Sequence, residues 1–496
     1  MTTTLPAQAG AVGGTAGAPG RPPTIIQGGM GVAVSNWRLA RAVAAYGQLG
    51  VVSGTGIDSV MVRRLQDGDV GGHLRRAFER FPFPDIAKEA LRRYFLPEGR
   101  PEGKAYARLP LPKVEGSRLQ RGFTVLANFA EVYLAKEGHQ GQVGINLLTK
   151  IQVPNLASLY GAMLAGVDYV LMGAGIPREI PLALDRMAEQ RPASLKVDVV
   201  GGRRDAPVTL EFDPAEFGGA DLDPLPRPAF LPIVSSHSLA SMLSKKATGP
   251  IQGFVVEAPT AGGHNAPPRG GGSLDERGQP VYGERDAVDL AVMRDLGLPF
   301  WLAGGSGSPE ALQYALAEGA AGVQVGTAFA YCQESGLTDD IKRAAIAQTL
   351  SGDTTVHTDP RASPTGYPFK VVALAGSHSD TEVYQQRTRV CDLGYLREVY
   401  QKPTGDLGYR CSSEPIEDYV AKGGDVAETE GRKCLCNALM ANVGMPQTQR
   451  SGEVELPLVT SGDDMAVIAR LVRPGRDGYS AAEVIDYLLG QPRTTG

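Results

Sequence analysis

The chain lacks several features that would assign its class at once. It has no run of eighteen apolar residues, so hydropathy gives no membrane-spanning helix. Positive charge is not in excess: 49 Lys and Arg stand against 54 Asp and Glu, for a formal net charge of −5. A nucleic-acid partner therefore has no electrostatic footprint. Cysteine is scarce, with Cys332 alone and Cys391, Cys411, Cys434 and Cys436 late in the chain. No paired Cys-x-x-Cys knuckle occurs, so the expected state is reduced thiols and no metal, with a structural zinc or iron–sulfur site as the alternative. Met1 to Pro22 has neither a basic start nor a continuous apolar core. It reads as a disordered tail rather than a signal peptide, and a cytoplasmic protein is expected.

What is present is ordinary for a globular protein, at 42% apolar and 21% charged residues. From Thr24 onward short apolar runs alternate with helical patterns, the signature of an α/β protein with parallel strands. Candidate strands fall at 24–27, 49–53, 142–148, 167–172, 195–200, 253–257, 300–303 and 322–325. A ninth run, 230–234, either belongs to an insertion or replaces one of these. Ser35 is read as the N-cap of the first helix. The expected fold is a TIM (β/α)8 barrel over residues 23–385. An Arg-rich, partly helical insertion at 58–120 and a Pro- and Asp-rich one at 201–227 interrupt it. Residues 386–496 read as an irregular, Cys-bearing C-terminal extension that wraps the barrel.

Chemistry in such barrels is done at the C-terminal strand ends. One candidate strand there runs into Ala261-Gly262-Gly263-His264, where glycines admit a flat ligand and a histidine can move protons near neutral pH. A solvent-facing loop histidine is the other reading of His264. Ala303 runs into Gly304-Gly305-Ser306-Gly307, with Ser308 as N-cap and Pro309 at the first position of the next helix. Free N–H groups at a helix start make an anion site. The next strand ends in Gly326-Thr327, and loops of this kind after the last two strands form the usual phosphate pocket of the barrel. Gly28, Gly29 and Gly31 after the first strand are open to a ligand role or to plain turn geometry.

Other residues carry weaker signals. His237 is a candidate for the barrel mouth, and His73 and His139 read as surface residues. The Pro-rich segment between His357 and His378 reads either as a lid over the site or as a surface loop. Glu257 and Glu334 read as structural carboxylates bonded to backbone N–H groups. Arg269 reads as a solvated loop arginine, or as a contact to a substrate phosphate.

Taken in order, Ile26-Gln27-Gly28-Gly29-Met30-Gly31, Gly144-Ile145-Asn146, Ala261-Gly262-Gly263-His264, Ala303-Gly304-Gly305-Ser306-Gly307 and Gly326-Thr327 resemble the nitronate monooxygenase family. The same FMN-binding barrel contains flavin-dependent enoyl reductases, including the trans-acting ones of polyketide and polyunsaturated fatty acid synthases. The resemblance implies FMN, with its phosphate on Gly304, Gly305, Ser306, Gly326 and Thr327. It implies an isoalloxazine ring against Gly28, Gly29 and Met30, with Asn146, Gly173, Gly262 and Gly263 nearby and His264 as the catalytic residue. The leading expectation is a nitronate monooxygenase that converts an alkyl nitronate and O2 to a carbonyl compound and nitrite. The alternative is an NAD(P)H-dependent enoyl reductase acting on an acyl thioester, with an acyl carrier protein as partner. A non-catalytic scaffold that kept the barrel is the third. The insertion at 58–120, the loop after His264 and the long C-terminus depart from compact nitronate monooxygenases.

Overall fold

The computed structural model describes residues 22–203 and 205–492. The N-terminal tail lies outside it but for Pro22.

Eight parallel strands close into a barrel: β1 (Ile25–Gln27), β2 (Leu49–Ser53), β3 (Val143–Leu148), β4 (Tyr169–Gly173), β5 (Ala229–Val234), β6 (Phe254–Glu257), β7 (Phe300–Ala303) and β8 (Gly322–Val325). β1 closes the ring on β8, with Ile26 opposite Gln324. Strand residues alternate between the inside of the barrel and the helical layer outside. Ile26, Val51, Leu171, Leu231, Val255 and Trp301 point inward and form a solid core below the mouth. Trp301 donates its ring N–H to the Pro23 carbonyl, 2.7 Å away, which ties the incoming chain to that core.

Two readings of the sequence need correction. Residues 195–200 are not a barrel strand. Ala193–Lys196 pairs antiparallel with Thr209–Phe212 outside the barrel, and β5 takes the vacant place between β4 and β6. The N-cap of the first helix, Trp37–Ala45, is Asn36, whose side chain accepts from Arg38 and Leu39 N–H. Ser35 instead bonds the Gly28 carbonyl and the Met30 N–H, and so holds the turn after β1.

The first excursion from the barrel forms helices Ile57–Gln66, His73–Phe78 and Pro84–Tyr94, whose apolar faces join the core around the long helix Arg118–Lys136. The C-terminal region is folded onto the barrel. Val399 and Tyr400 pair with Val199 and Val200, so the second excursion and the extension share one sheet. The terminal helices Ala466–Leu471 and Ala481–Leu488 are packed in the same apolar cluster as Leu312 and Phe329. Among the described residues, no helix is long and apolar enough to cross a membrane.

Candidate active site

The core is apolar until the last inward position of each strand, where its character changes. Those positions hold Gly28 (just past β1), Ser53, Asn146, Gly173, Ile233, Glu257, Ala303 and Gln324, all of which line one cavity of about 370 Å³ over the barrel mouth. Small residues open the space, and four of the eight positions, Ser53, Asn146, Glu257 and Gln324, carry polar side chains. Sequence reasoning identified Gly28, Asn146 and Gly173 in this ring. Ser53, Glu257, Ala303 and Gln324 were findable from the same signal, since each stands two residues beyond an inward core position or glycine on its strand.

One side of the cavity is a cradle of backbone donors. Ser308 caps the helix Pro309–Ala317 by accepting from Ala311 N–H at 3.1 Å, with Pro309 at its first position. The preceding turn bends through Gly304 at φ +87° and Gly305 at φ +64°, a region that β-carbons disfavour. The N–H groups of Gly305, Ser306 and Gly326 have no hydrogen-bond partner among the described residues and line the cavity. Thr327 adds a hydroxyl, which accepts the Gly462 N–H at 3.0 Å. Unpaired donors at a helix start are what an anionic phosphate needs. Beside them the segment 460–464 of the extension closes the wall: Gly263 N–H donates to Thr460 Oγ1 at 2.9 Å, and Gly307 N–H to Asp464 Oδ2 at 3.2 Å. Gly262, expected to leave room for a ring, leaves room for this segment. A β-carbon there would lie 2.7 Å from Gly462 N.

The other side is built from side chains. His264 lines the cavity, its Nε2 hydrogen-bonded to Ser363 Oγ at 2.7 Å and the Phe369 ring edge-on at 4.9 Å. Burial, with the nearby Lys150 charge, holds its pKa down at about 4, so the imidazole is neutral at pH 7. Glu257 differs from its expected structural role. Its carboxylate has no hydrogen-bond or ion-pair partner among the described residues, and burial alone lifts its pKa to about 7. Gln324 Oε1 is likewise buried without a partner. Ile151, Leu396, Leu435 and Leu439 extend the wall as an apolar wing, to which the C-terminal extension contributes three of the four.

Every residue expected to bind the cofactor or act on substrate lines this cavity: Gly28, Gly29, Met30, Asn146, Gly173, Gly262, Gly263, His264, Gly304, Gly305, Ser306, Gly326 and Thr327. Other candidates fall elsewhere. His237 Nδ1 accepts the Asp289 N–H, and Glu334 accepts the Ala481 N–H. His378 is buried against Glu455, 2.9 Å away, which also pairs with Arg387. Arg269 donates to the Ser235 carbonyl at 2.6 Å and does not line the cavity. Cys391, Cys411, Cys434 and Cys436 surround one small void as free thiols. Burial pushes the Cys391 pKa to about 12. Among the described residues, no three His, Cys, Asp or Glu are grouped to hold a metal ion.

The family model for nitronate monooxygenase matches residues 225–371, the stretch from β5 through β8 that carries His264 and the cradle. No curated protein matches the chain. Among solved structures, FabK from Thermotoga maritima is 16% identical, with 95% of this chain and 92% of that one covered and a TM-score of 0.45. Nitroalkane oxidase from Streptomyces ansochromogenes is 14% identical, with 95% of both chains covered and a TM-score of 0.44. The enoyl reductase domain of MlnA from the macrolactin biosynthesis cluster of Bacillus amyloliquefaciens is 12% identical, covering 94% and 93%, with a TM-score of 0.45. Likenesses this distant say nothing about substrate. The family match recovers the resemblance read from the motifs, and the chain is a flavin-dependent oxidoreductase.

Proposed function

We propose that the protein uses FMN to reduce the carbon–carbon double bond of an electrically neutral enoyl thioester at the expense of NAD(P)H. One observation carries this reading: among the described residues, no Lys or Arg lines the cavity. Its ionisable wall groups include the carboxyls of Glu257 and Asp464, and its imidazole is neutral at pH 7. A nitronate is an anion, and burying an anion beside carboxyls with no cation to pair it is costly. A neutral thioester avoids that cost, and the apolar wing of Ile151, Leu396, Leu435 and Leu439 suits its acyl chain.

The residues fit the cofactor. The unpaired N–H groups of Gly305, Ser306 and Gly326 would hold its phosphate, and the ring from Gly28 to Gln324 would support its flat face, where Gln324 Oε1 awaits a donor. When bound, FMN supplies hydride transfer from NAD(P)H to the β-carbon, and solvent supplies the proton for the α-carbon. The neutral imidazole of His264 can donate one N–H to the thioester carbonyl, where negative charge grows as the hydride arrives. Tyr367 of the loop 363–367 and Thr460, Ser461, Gly462 and Asp464 complete the wall of the cavity. The acyl group would be carried on coenzyme A or an acyl carrier protein, in the cytoplasm.

The second reading, nitronate oxidation, is favoured by the family match. Mixing the FMN-loaded protein with NAD(P)H without oxygen separates the two. Bleaching of the flavin by NAD(P)H, followed by recovery on adding an enoyl thioester, is expected. Bleaching by an alkyl nitronate but not by NAD(P)H would overturn the proposal.

A further inference from the structure

We propose that Lys150 is a positioning residue for His264: its ammonium fixes the loop 363–367, and the Ser363 hydroxyl of that loop holds the imidazole.

Lys150 follows β3 and does not line the cavity. Its Nζ lies 3.0 Å from the centre of the Tyr367 ring and donates to the Thr365 carbonyl at 3.1 Å. Thr365 Oγ1 is 2.9 Å from Ser363 Oγ, which is 2.7 Å from His264 Nε2. One connected set of contacts thus runs from the lysine to the imidazole. The C-terminal end of the loop is pinned as well, since Asn265 N–H donates to the Pro368 carbonyl and Lys370 N–H to the Gly263 carbonyl, both at 2.9 Å. Arg432 holds the start of the loop by donating to the Ser363 carbonyl at 2.6 Å, and among the described residues Lys150 makes the hydrogen bond that reaches 364–367 from outside the loop. A half-buried lysine with no salt bridge among the described residues is unusual, and burial lowers its pKa to about 8 against the opposing charge of Asp198. A charged ammonium binds a ring face and a carbonyl far better than a neutral amine does. Deprotonation near that pH therefore loosens the loop.

Other ionisable groups surround His264. Glu257 on β6, Asp464 on the segment 460–464, Tyr367 on the loop and Cys436 on the helix Leu435–Ala441 share its cavity. Lys370 is tied to Asp463 at 2.8 Å. Lys150 is the charge that acts on the imidazole.

The inference rests on His264 facing the substrate, so its main test needs no turnover. The ring nitrogens of His264 are followed by 15N NMR in the FMN-loaded full chain, assigned with His264→Asn. In the unsubstituted protein, one neutral tautomer is expected at pH 7, and its signals move as Lys150 deprotonates between about pH 7 and 9. Lys150→Arg keeps the tautomer and abolishes that movement. Lys150→Met mixes the tautomers and raises the protonation pH of His264 by roughly half a unit or more. Enoyl reduction, where observed, falls off above about pH 8 in the unsubstituted protein and stays level in Lys150→Arg. His264 signals that ignore both the alkaline titration and Lys150→Met would overturn the proposal. Absence of turnover with the expected NMR changes would count against the substrate reading and not against Lys150.

Discussion

The two sides of the cavity are made of different material. The cradle beside β7 and β8 is backbone: unpaired N–H groups on a glycine turn, capped by Ser308 and Pro309 within a few residues of one another. The reactive side beside β3 and β6 is side chains, with His264 held by Ser363 from 99 residues further along. A backbone site is indifferent to most side-chain substitutions and fails only when its path is bent. A side-chain site fails at single atoms. Binding of the cofactor and reaction with the substrate are therefore separable by mutation.

Gly304→Val is expected to have the largest effect. A β-carbon at Gly304 would sit 2.9 Å from both Ala261 N and Thr260 Oγ1, at a φ of +87° that valine disfavours. The turn must move, and FMN affinity drops at least a hundredfold, about 3 kcal/mol. Equilibrium flavin titration measures it, with the His264 side expected to stay intact. His264→Gln is the mirror experiment. Flavin content is unchanged, and the reaction with substrate slows roughly a hundredfold, in line with the loss of one aimed donor. If His264→Gln lost flavin while Gly304→Val kept it, the two sides would have to exchange roles.

Glu257 belongs to the side-chain half and predicts a pH effect on stability. Its carboxyl loses a proton near pH 4.5 when unfolded and near pH 7 when folded, because burial disfavours the charge. Over that window the folded chain holds the extra proton, so stability falls as pH rises from about 4.5 to 7 and stays low above it. The contribution is on the order of 1–3 kcal/mol. Thermal melts of flavin-free protein should show the decline, and Glu257→Gln should remove it. A Glu257→Gln protein with the same decline would place the titrating group elsewhere.

The sequence was legible where structure is local. The glycine turn, its Ser-Pro helix start and the Gly-Gly-His strand end are contiguous, so their geometry follows from neighbours along the chain. The strand misread at 195–200 carried its own warning. Leu195, Val197 and Val199 alternate with Lys196 and Asp198, whereas a barrel strand is covered on both faces and reads as an unbroken apolar run, as Phe230 to Val234 nearly does. The loop 363–367 was legible only as a choice between a lid and a surface loop, and the segment 460–464 was not legible at all, because their contacts with the site join residues 99 to 197 positions apart. Glu257 shows the same limit. Its place at a strand end was visible, but its lack of partners is a property of everything packed around it.

The smallest expected effect tests the boundary between the two sides. Asp464 is a side chain that enters the backbone cradle, accepting the Gly307 N–H at 3.2 Å. Burial raises its pKa, and the Gly307 hydrogen bond and the Arg470 charge oppose the rise. A carboxylate beside a bound phosphate weakens it, and Asp464→Asn keeps the acceptor while removing the charge. FMN affinity should rise severalfold, about 1 kcal/mol for a partly exposed like-charge pair. Riboflavin, which has the ring but no phosphate, should bind Asp464→Asn and the unsubstituted protein equally. The FMN gain should shrink as salt screens the pair. An equal gain for both flavins would mean that Asp464 acts on the ring or on the packing of 460–464, and the cradle would then be less purely a backbone site.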